Sequence, residues 1–431
     1  MSPLFSVSGY KRYFTLTVSA QAGVFVLGIA SSVLAARLLG PQGRGELAAI
    51  VLWPTLLTLM FSLGNTQSIV YHAGKRTFDI SEIWTSALVM SALLSTCAVT
   101  AGFRIIPFAL KHYPPEARHL SLLFLICVPL IWFTGVPASL IQGRLEMEYF
   151  NLLRLICPVI YAAGLLALDV MGRSSLADAA AIQALGFAAM DALGILLVVS
   201  KFRPRWTWNS RTLRSLVDFG WRTQMGNLAS FVNQRLDQLL LTILVPPQEL
   251  GLYVVAVTVA MAPSFLPQAA EMVTLAAGSN ADSNEAKSII ARSVGGTFVA
   301  LGSLCTILYF ICPWLIPFAF GDSFAPAITA CRILLPGSVA LGLNQVLSSG
   351  ARSLGFPALP SYAEGIAMGI TFVALLLLLP RYGFLGAAVA STAAYIGGLA
   401  SSLVLLYFRA GIRPVEFAAE LPRLALRRIN F

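Results

Sequence analysis

A chain of 431 residues that is 57% apolar and only 11% charged, with a mean hydropathy of +0.79, lies outside the composition of soluble domains. The net charge of +10 falls in short loops rather than on one folded face, which excludes a nucleic-acid role as the leading reading. Six cysteines sit in apolar stretches and, like His72, His112 and His119, have no metal-like or catalytic spacing; they read as packing residues.

A helix needs about 20 apolar residues to cross a bilayer. Twelve such stretches are predicted, at residues 15–36, 47–63, 83–103, 120–141, 152–170, 177–199, 220–244, 252–273, 294–317, 327–347, 358–379 and 385–408. The first is too long for the apolar core of a signal peptide and is expected to be retained. Most of the 29 Lys and Arg residues fall on one side of this arrangement, among them Lys75, Arg76, Arg144, Lys201, Arg203 and Arg205. That bias predicts a multi-pass protein with both termini cytoplasmic.

The chain divides into two halves. Pro41-Gln42 and Gly45 recur as Pro247-Gln248 and Gly251 at an offset of 206, and Arg144 recurs as Arg352 at 208. Leu176-Ala177 aligns with Leu385-Gly386 at 209. One nearly constant offset marks an internal repeat. Six spans return the chain to its starting side, so the repeats are parallel and related by a pseudo-two-fold axis along the membrane normal. The expected organisation is an N-terminal lobe at 1–200, a basic linker at 201–216, a C-terminal lobe at 217–408 and a basic tail at 409–431.

The seventh span carries the chemistry. Gln224, Asn227, Ser230, Gln234 and Asp237 share one helical face, with Arg235 beside the last two. An Arg and an Asp inside an apolar span are costly unless they face protein or water. This face reads as the wall of a transport pathway, or in the plainer reading as a packing contact between Arg235 and Asp237. Gln21 aligns with Asn227 at the 206 offset and joins the candidates. Asp191, Asp237 and Glu364 are candidate ion-coupling carboxylates, and Arg332 is a weaker phosphate candidate. Arg37, Arg44 and Glu46 flank the first turn between spans, as a helix junction or a gate.

The block ARLLGPQGRGELAAIVLWPTLLTLMFSLGNTQSIVYHAG, together with FGWRTQMGNLASFVNQRLDQLLLTILVPPQELGLYVVAVTVA and LPRYGFLGAAVASTAAY, resembles the polysaccharide-transport flippases. These belong to the multidrug/oligosaccharidyl-lipid/polysaccharide (MOP) exporter superfamily. The resemblance implies two six-helix lobes around a central cavity that works by alternating access. It also implies an undecaprenyl-diphosphate-linked oligosaccharide as cargo, moved to the outer leaflet of a prokaryotic plasma membrane, with glycosyltransferases and a glycan polymerase as pathway partners. Twelve spans rather than fourteen set the chain apart from the lipid II branch. Under this reading Arg235 would contact phosphate oxygens, while Gln224, Asn227, Asn233, Gln234 and Gln21 would hydrogen-bond sugars. No cofactor is expected; coupling to Na⁺, H⁺ or membrane potential is.

Two other classes compete. A glycan polymerase or ligase would need a large outer loop with a catalytic constellation, and the longest outer loop, 104–119, has none. A drug antiporter of the same superfamily would favour acidic rather than cationic and amide side chains. A GxxxxGK[ST] phosphate loop is absent, which argues against ATP-driven transport by this chain alone.

Overall fold

The structure, a computed structural model, describes the backbone from Val7 to Gly411 and the side chains of residues 15–411 except 225–233, Ala276, Asn280, Ser283 and Ala410. Among the described residues all regular structure is helical. The helices are α1 (Val7–Phe61), α2 (Asn65–Lys75), α3 (Ile80–Ala109), α4 (Pro115–Leu123), α5 (Cys127–Gly143), α6 (Met147–Val170) and α7 (Leu176–Phe202). They continue as α8 (Ser210–Leu244), α9 (Pro247–Ala260), α10 (Phe265–Asn280), α11 (Ser283–Phe320), α12 (Ala327–Ser353) and α13 (Leu359–Ala410).

Eight helical stretches are long and apolar enough to cross a membrane. Two of them each hold two of the predicted spans. α1 breaks at Gly40 (φ 65°, ψ −177°), and Pro41 opens its second half; α13 breaks at Gly383 (φ 55°, ψ −139°). Both conformations need a residue without Cβ, and proline suits the first helical turn. α9 and α10, bent by 41° at their junction, are together long and apolar enough for one further span. α8, at 35 residues, is long enough to cross but too polar to be recognised by hydropathy. With these, the described helices account for the twelve predicted spans. Most run several residues past the apolar stretches, because interfacial turns stay helical after the sequence turns polar. α2 was not expected. Leu63 (φ 44°) and Gly64 (φ 64°), both left-handed, end the second span and restart the chain as this short helix.

Helix starts are fixed by short polar side chains. Asp79 accepts from the Ser81 N–H at 2.9 Å at the head of α3, and Ser175 accepts from Asp178 at 3.2 Å at the head of α7. Asp282 accepts from Asn284 and Glu285 at the head of α11. Each cap satisfies donors that the helix leaves unpaired.

The chain separates into two units inside α8. One runs to Leu228 and takes in Pro246–Gly251; the other holds Ala229–Val245 and the chain from Leu252 on. The first unit has two apolar cores, one around Ile69, Ile83, Leu140, Leu153 and Val198 and one around Leu47, Ile50, Phe124 and Leu165. The linker belongs to this unit: the Arg205 and Thr207 N–H groups donate to the Ser81 and Thr85 hydroxyls. The repeated Pro-Gln-x-x-Gly segments also meet within it. Gly45 lies against the Pro247 carbonyl and Gly251 against the Pro41 carbonyl, too close for any Cβ. The second unit packs α10, α11, α12 and the end of α13 around Ile290, Val346, Leu347 and Leu406.

Candidate functional site

In the second unit, the polar end of α8 is built around Asp237. This carboxylate is 5% exposed and accepts from the hydroxyls of Tyr253 on α9 and Ser391 on α13, the latter at 3.0 Å. Its other oxygen accepts from the Gln238 N–H at 2.7 Å. Tyr253 is itself fully buried, and its hydroxyl lies 3.2 Å from Ser391. A carboxylate taken from water needs such donors. The arrangement is suited to holding or releasing a proton or a small cation.

Arg235 does not make the direct contact with Asp237 that spacing suggested. It is exposed and donates to Gln238 Oε1 at 2.9 Å, while Gln238 is buried beside Asp237. A residue two places along a helix points about 200° away, so α8 buries Asp237 and presents Arg235 outward. Gln234 is exposed as well. Tyr395, on α13, lies in the electrostatic range of Asp237, Arg235 and Glu364, which draws these three predicted residues toward one region. Glu364 is half-buried. Asn227, Ser230 and Asn233 lie outside the described side chains.

The first unit holds most of the other candidates. Gln224 is 2% exposed and is committed to backbone: its Oε1 accepts from the Gly64 N–H at 3.1 Å and its Nε2 donates to the Leu59 carbonyl at 2.5 Å. It ties α8 across the break between α1 and α2. Gln21 accepts from the Arg154 guanidinium, which also stacks 5.6 Å from the Phe150 ring. One turn earlier, Asn151 donates to Thr17 Oγ1 at 3.0 Å. Asp191 is 8% exposed near the middle of α7, with one carboxylate oxygen lacking a partner. At the first turn, Arg44 donates to Ser32 at 3.3 Å and Glu46 accepts from Gln42 at 2.9 Å, while Arg37 is exposed.

Arg332 in the second unit donates to the Tyr309 carbonyl at 3.2 Å and lies 4.9 Å from that ring, a contact that anchors α12 to α11. Five cysteines are buried and Cys97 is exposed; all are unpaired. Among the described residues no cluster of His, Cys, Asp and Glu is arranged to hold a metal ion. Reasoning along the chain missed Tyr253, Ser391 and Arg154. A tyrosine or arginine inside an apolar helix is the one local signal that could have drawn attention to them.

No curated protein sequence gives a significant match to the chain. Among solved structures it is similar to the lipid II flippase MurJ in an inward closed conformation, with TM-score 0.78 and 15% identity over 97% of this chain and 93% of that one. It is also similar to an inward-facing multidrug resistance MATE transporter of the MOP superfamily, with TM-score 0.73 and 12% identity over 90% and 94%. A third is a MOP superfamily transporter from Pyrococcus furiosus noted for the reverse polarity of its binding pocket, with TM-score 0.61 and 14% identity over 93% and 94%. At such identities the likeness establishes the fold, that of multi-pass membrane transporters. The sequence profile of the family described as polysaccharide biosynthesis protein matches residues 33–329, well over half the chain. The chain therefore belongs to the polysaccharide biosynthesis protein family.

Proposed function

We propose that this protein translocates an undecaprenyl-diphosphate-linked oligosaccharide from the cytoplasmic to the outer leaflet of a prokaryotic plasma membrane, by alternating access, for cell-surface polysaccharide assembly. One observation carries the reading: a member of a polysaccharide biosynthesis family has a transporter fold shared with a lipid II flippase. The family supports the pathway in this reading, and the fold supports the transport step. The headgroup of such a lipid carries two phosphates and many hydroxyls, so it needs cationic and amide side chains along its route. Arg235 and Gln234, exposed on α8, have that chemistry. Asp237, buried and held by hydroxyl donors, is our candidate for coupling to Na⁺ or H⁺. Glycosyltransferases and a glycan polymerase would act before and after this step.

A cation-coupled drug antiporter is the second reading, favoured by the likeness to a MATE transporter and by the buried carboxylates Asp191 and Asp237. The two separate in proteoliposomes. An enzyme added outside, which modifies only accessible headgroups, should convert more than half of an undecaprenyl-diphosphate oligosaccharide when the protein is present. Conversion stopping at the half exposed without protein, alongside ion-driven efflux of an organic cation, would transfer the assignment to the antiporter.

A further inference from the structure

A second polar site lies in the first unit, where α1 packs on α6, and the proposed function leaves it unassigned. Asn151 is 3% exposed, yet its Oδ1 has no partner, while its Nδ2 is spent on Thr17. A buried acceptor without a donor is costly, and a ligand hydroxyl would satisfy it. One turn further along α6, the half-buried Arg154 is held by Gln21 and the Phe150 ring. Its guanidinium has five N–H donors, and among the described residues its polar partner is Gln21. A cation oriented by an amide and a ring, with donors to spare, is prepared for a bidentate oxyanion.

The two unmet requirements differ in sign. Asn151 requires a donor and Arg154 an anionic acceptor, so the complementary ligand carries hydroxyls and phosphate oxygens a few ångströms apart. That is the chemistry of a glycosyl diphosphate. Depth agrees: Arg154 lies seven residues into α6, about 10 Å from its start. The start of α6 lies in the basic end of this unit, where Lys201 pairs with Glu146 at 2.6 Å. A lipid whose tail remains in the bilayer would offer its headgroup at such a depth.

We propose that Arg154, held by Gln21 and Phe150, binds the diphosphate of the lipid-linked substrate in the first unit, and that Asn151 with Thr17 receives a hydroxyl of the adjoining sugar. This rests on the flippase reading. The test is equilibrium binding of undecaprenyl diphosphate to the full chain in phosphatidylcholine nanodiscs. Undecaprenol serves as the tail-only probe and inorganic pyrophosphate as the headgroup-only competitor.

Arg154→Gln should weaken binding of undecaprenyl diphosphate at least tenfold. Arg154→Lys, which keeps the charge but loses the planar fork, should weaken it several-fold. Asn151→Ala should leave the bare diphosphate within twofold and weaken a sugar-bearing lipid several-fold. Competition by pyrophosphate in the wild type, lost in Arg154→Gln, would assign recognition to the diphosphate itself. Equal binding of undecaprenol would assign it to the tail and overturn the site. If Arg154→Gln does not purify as a folded species, Arg154→Lys decides, and wild-type affinity in that variant overturns the proposal. Unchanged affinity in both variants removes this site and leaves the flippase reading standing. A wild type that binds no lipid diphosphate removes both.

Discussion

Gln224 has the sequence signature of a cavity residue and the contacts of a clamp. Its two hydrogen bonds reach the left-handed break after the second span: one satisfies the Gly64 N–H, and the other reaches the Leu59 carbonyl, which also accepts from the N–H and hydroxyl of Ser62. Each buried group left unpaired costs about 1–3 kcal/mol. Gln224→Leu should therefore lower the thermal midpoint of the purified protein by several degrees, and an unchanged midpoint would remove the clamp. Asp237 predicts the opposite pattern. Asp237→Asn keeps an acceptor for Tyr253 and Ser391 but loses the titratable charge. Under the proposed function, flipping should fall at least tenfold while the midpoint moves little; normal flipping would exclude this carboxylate from coupling. Asp79 gives a pH dependence outside the spans. Hydrogen bonds from Ser81 hold its carboxyl below the usual range, so its contribution is full above the unfolded value of about 4 and is lost as pH falls through the lower folded value. The side chain is exposed, and as a cap it contributes about 1 kcal/mol. Asp79→Asn should flatten the fall in thermal midpoint between pH 5 and pH 3 that the wild type undergoes.

At the level of elements, two kinks join helices end to end through a single glycine, and a third site brings two repeated segments into contact. Gly45 and Gly251 occupy equivalent places in the repeat, and each accommodates the carbonyl of the other segment's proline. Any side chain at either position must push two backbones apart, and overpacking of this kind costs about 1–3 kcal/mol. Gly45→Ala and Gly251→Ala should each lower the thermal midpoint, whereas Gly28→Ala, whose Cβ would enter open space, should leave it unchanged. Equal midpoints for all three would show that the segments separate freely. This contact was half legible in the sequence: the offset identified the two segments as equivalent, and nothing in it placed one against the other. Spans were legible because long apolar runs admit few alternatives in a bilayer. The polar partners were not. Gln21 meets Arg154 across 133 positions and Asp237 meets Ser391 across 154, distances that packing alone decides. α8 shows a related limit, since periodicity gave its polar face, but which of its residues turn inward depended on neighbouring helices.

For the whole molecule, orientation ties the charge pattern to the direction of transport. The basic residues predicted to be cytoplasmic gather at one end of the first unit: Arg144 lies within electrostatic range of Arg76 and Asp79, and Lys201 pairs with Glu146. The linker is bound to the start of α3 at the same end. Clustered Lys and Arg resist translocation and favour anionic headgroups, so this end should face the cytoplasm. The loop holding Lys111 and His112, between α3 and α4, should then face outward. Single cysteines placed at His112 and at Arg211 test this directly in intact cells, in a background with Cys97, the exposed cysteine, replaced by serine. A membrane-impermeant maleimide should label His112→Cys at once and Arg211→Cys only after permeabilisation. The reverse pattern would place the basic end outside, and a cargo built in the cytoplasm would then meet the Arg154 site only after crossing. Under that outcome Arg154 would be an exit site, and the direction assigned to the cycle would have to be inverted.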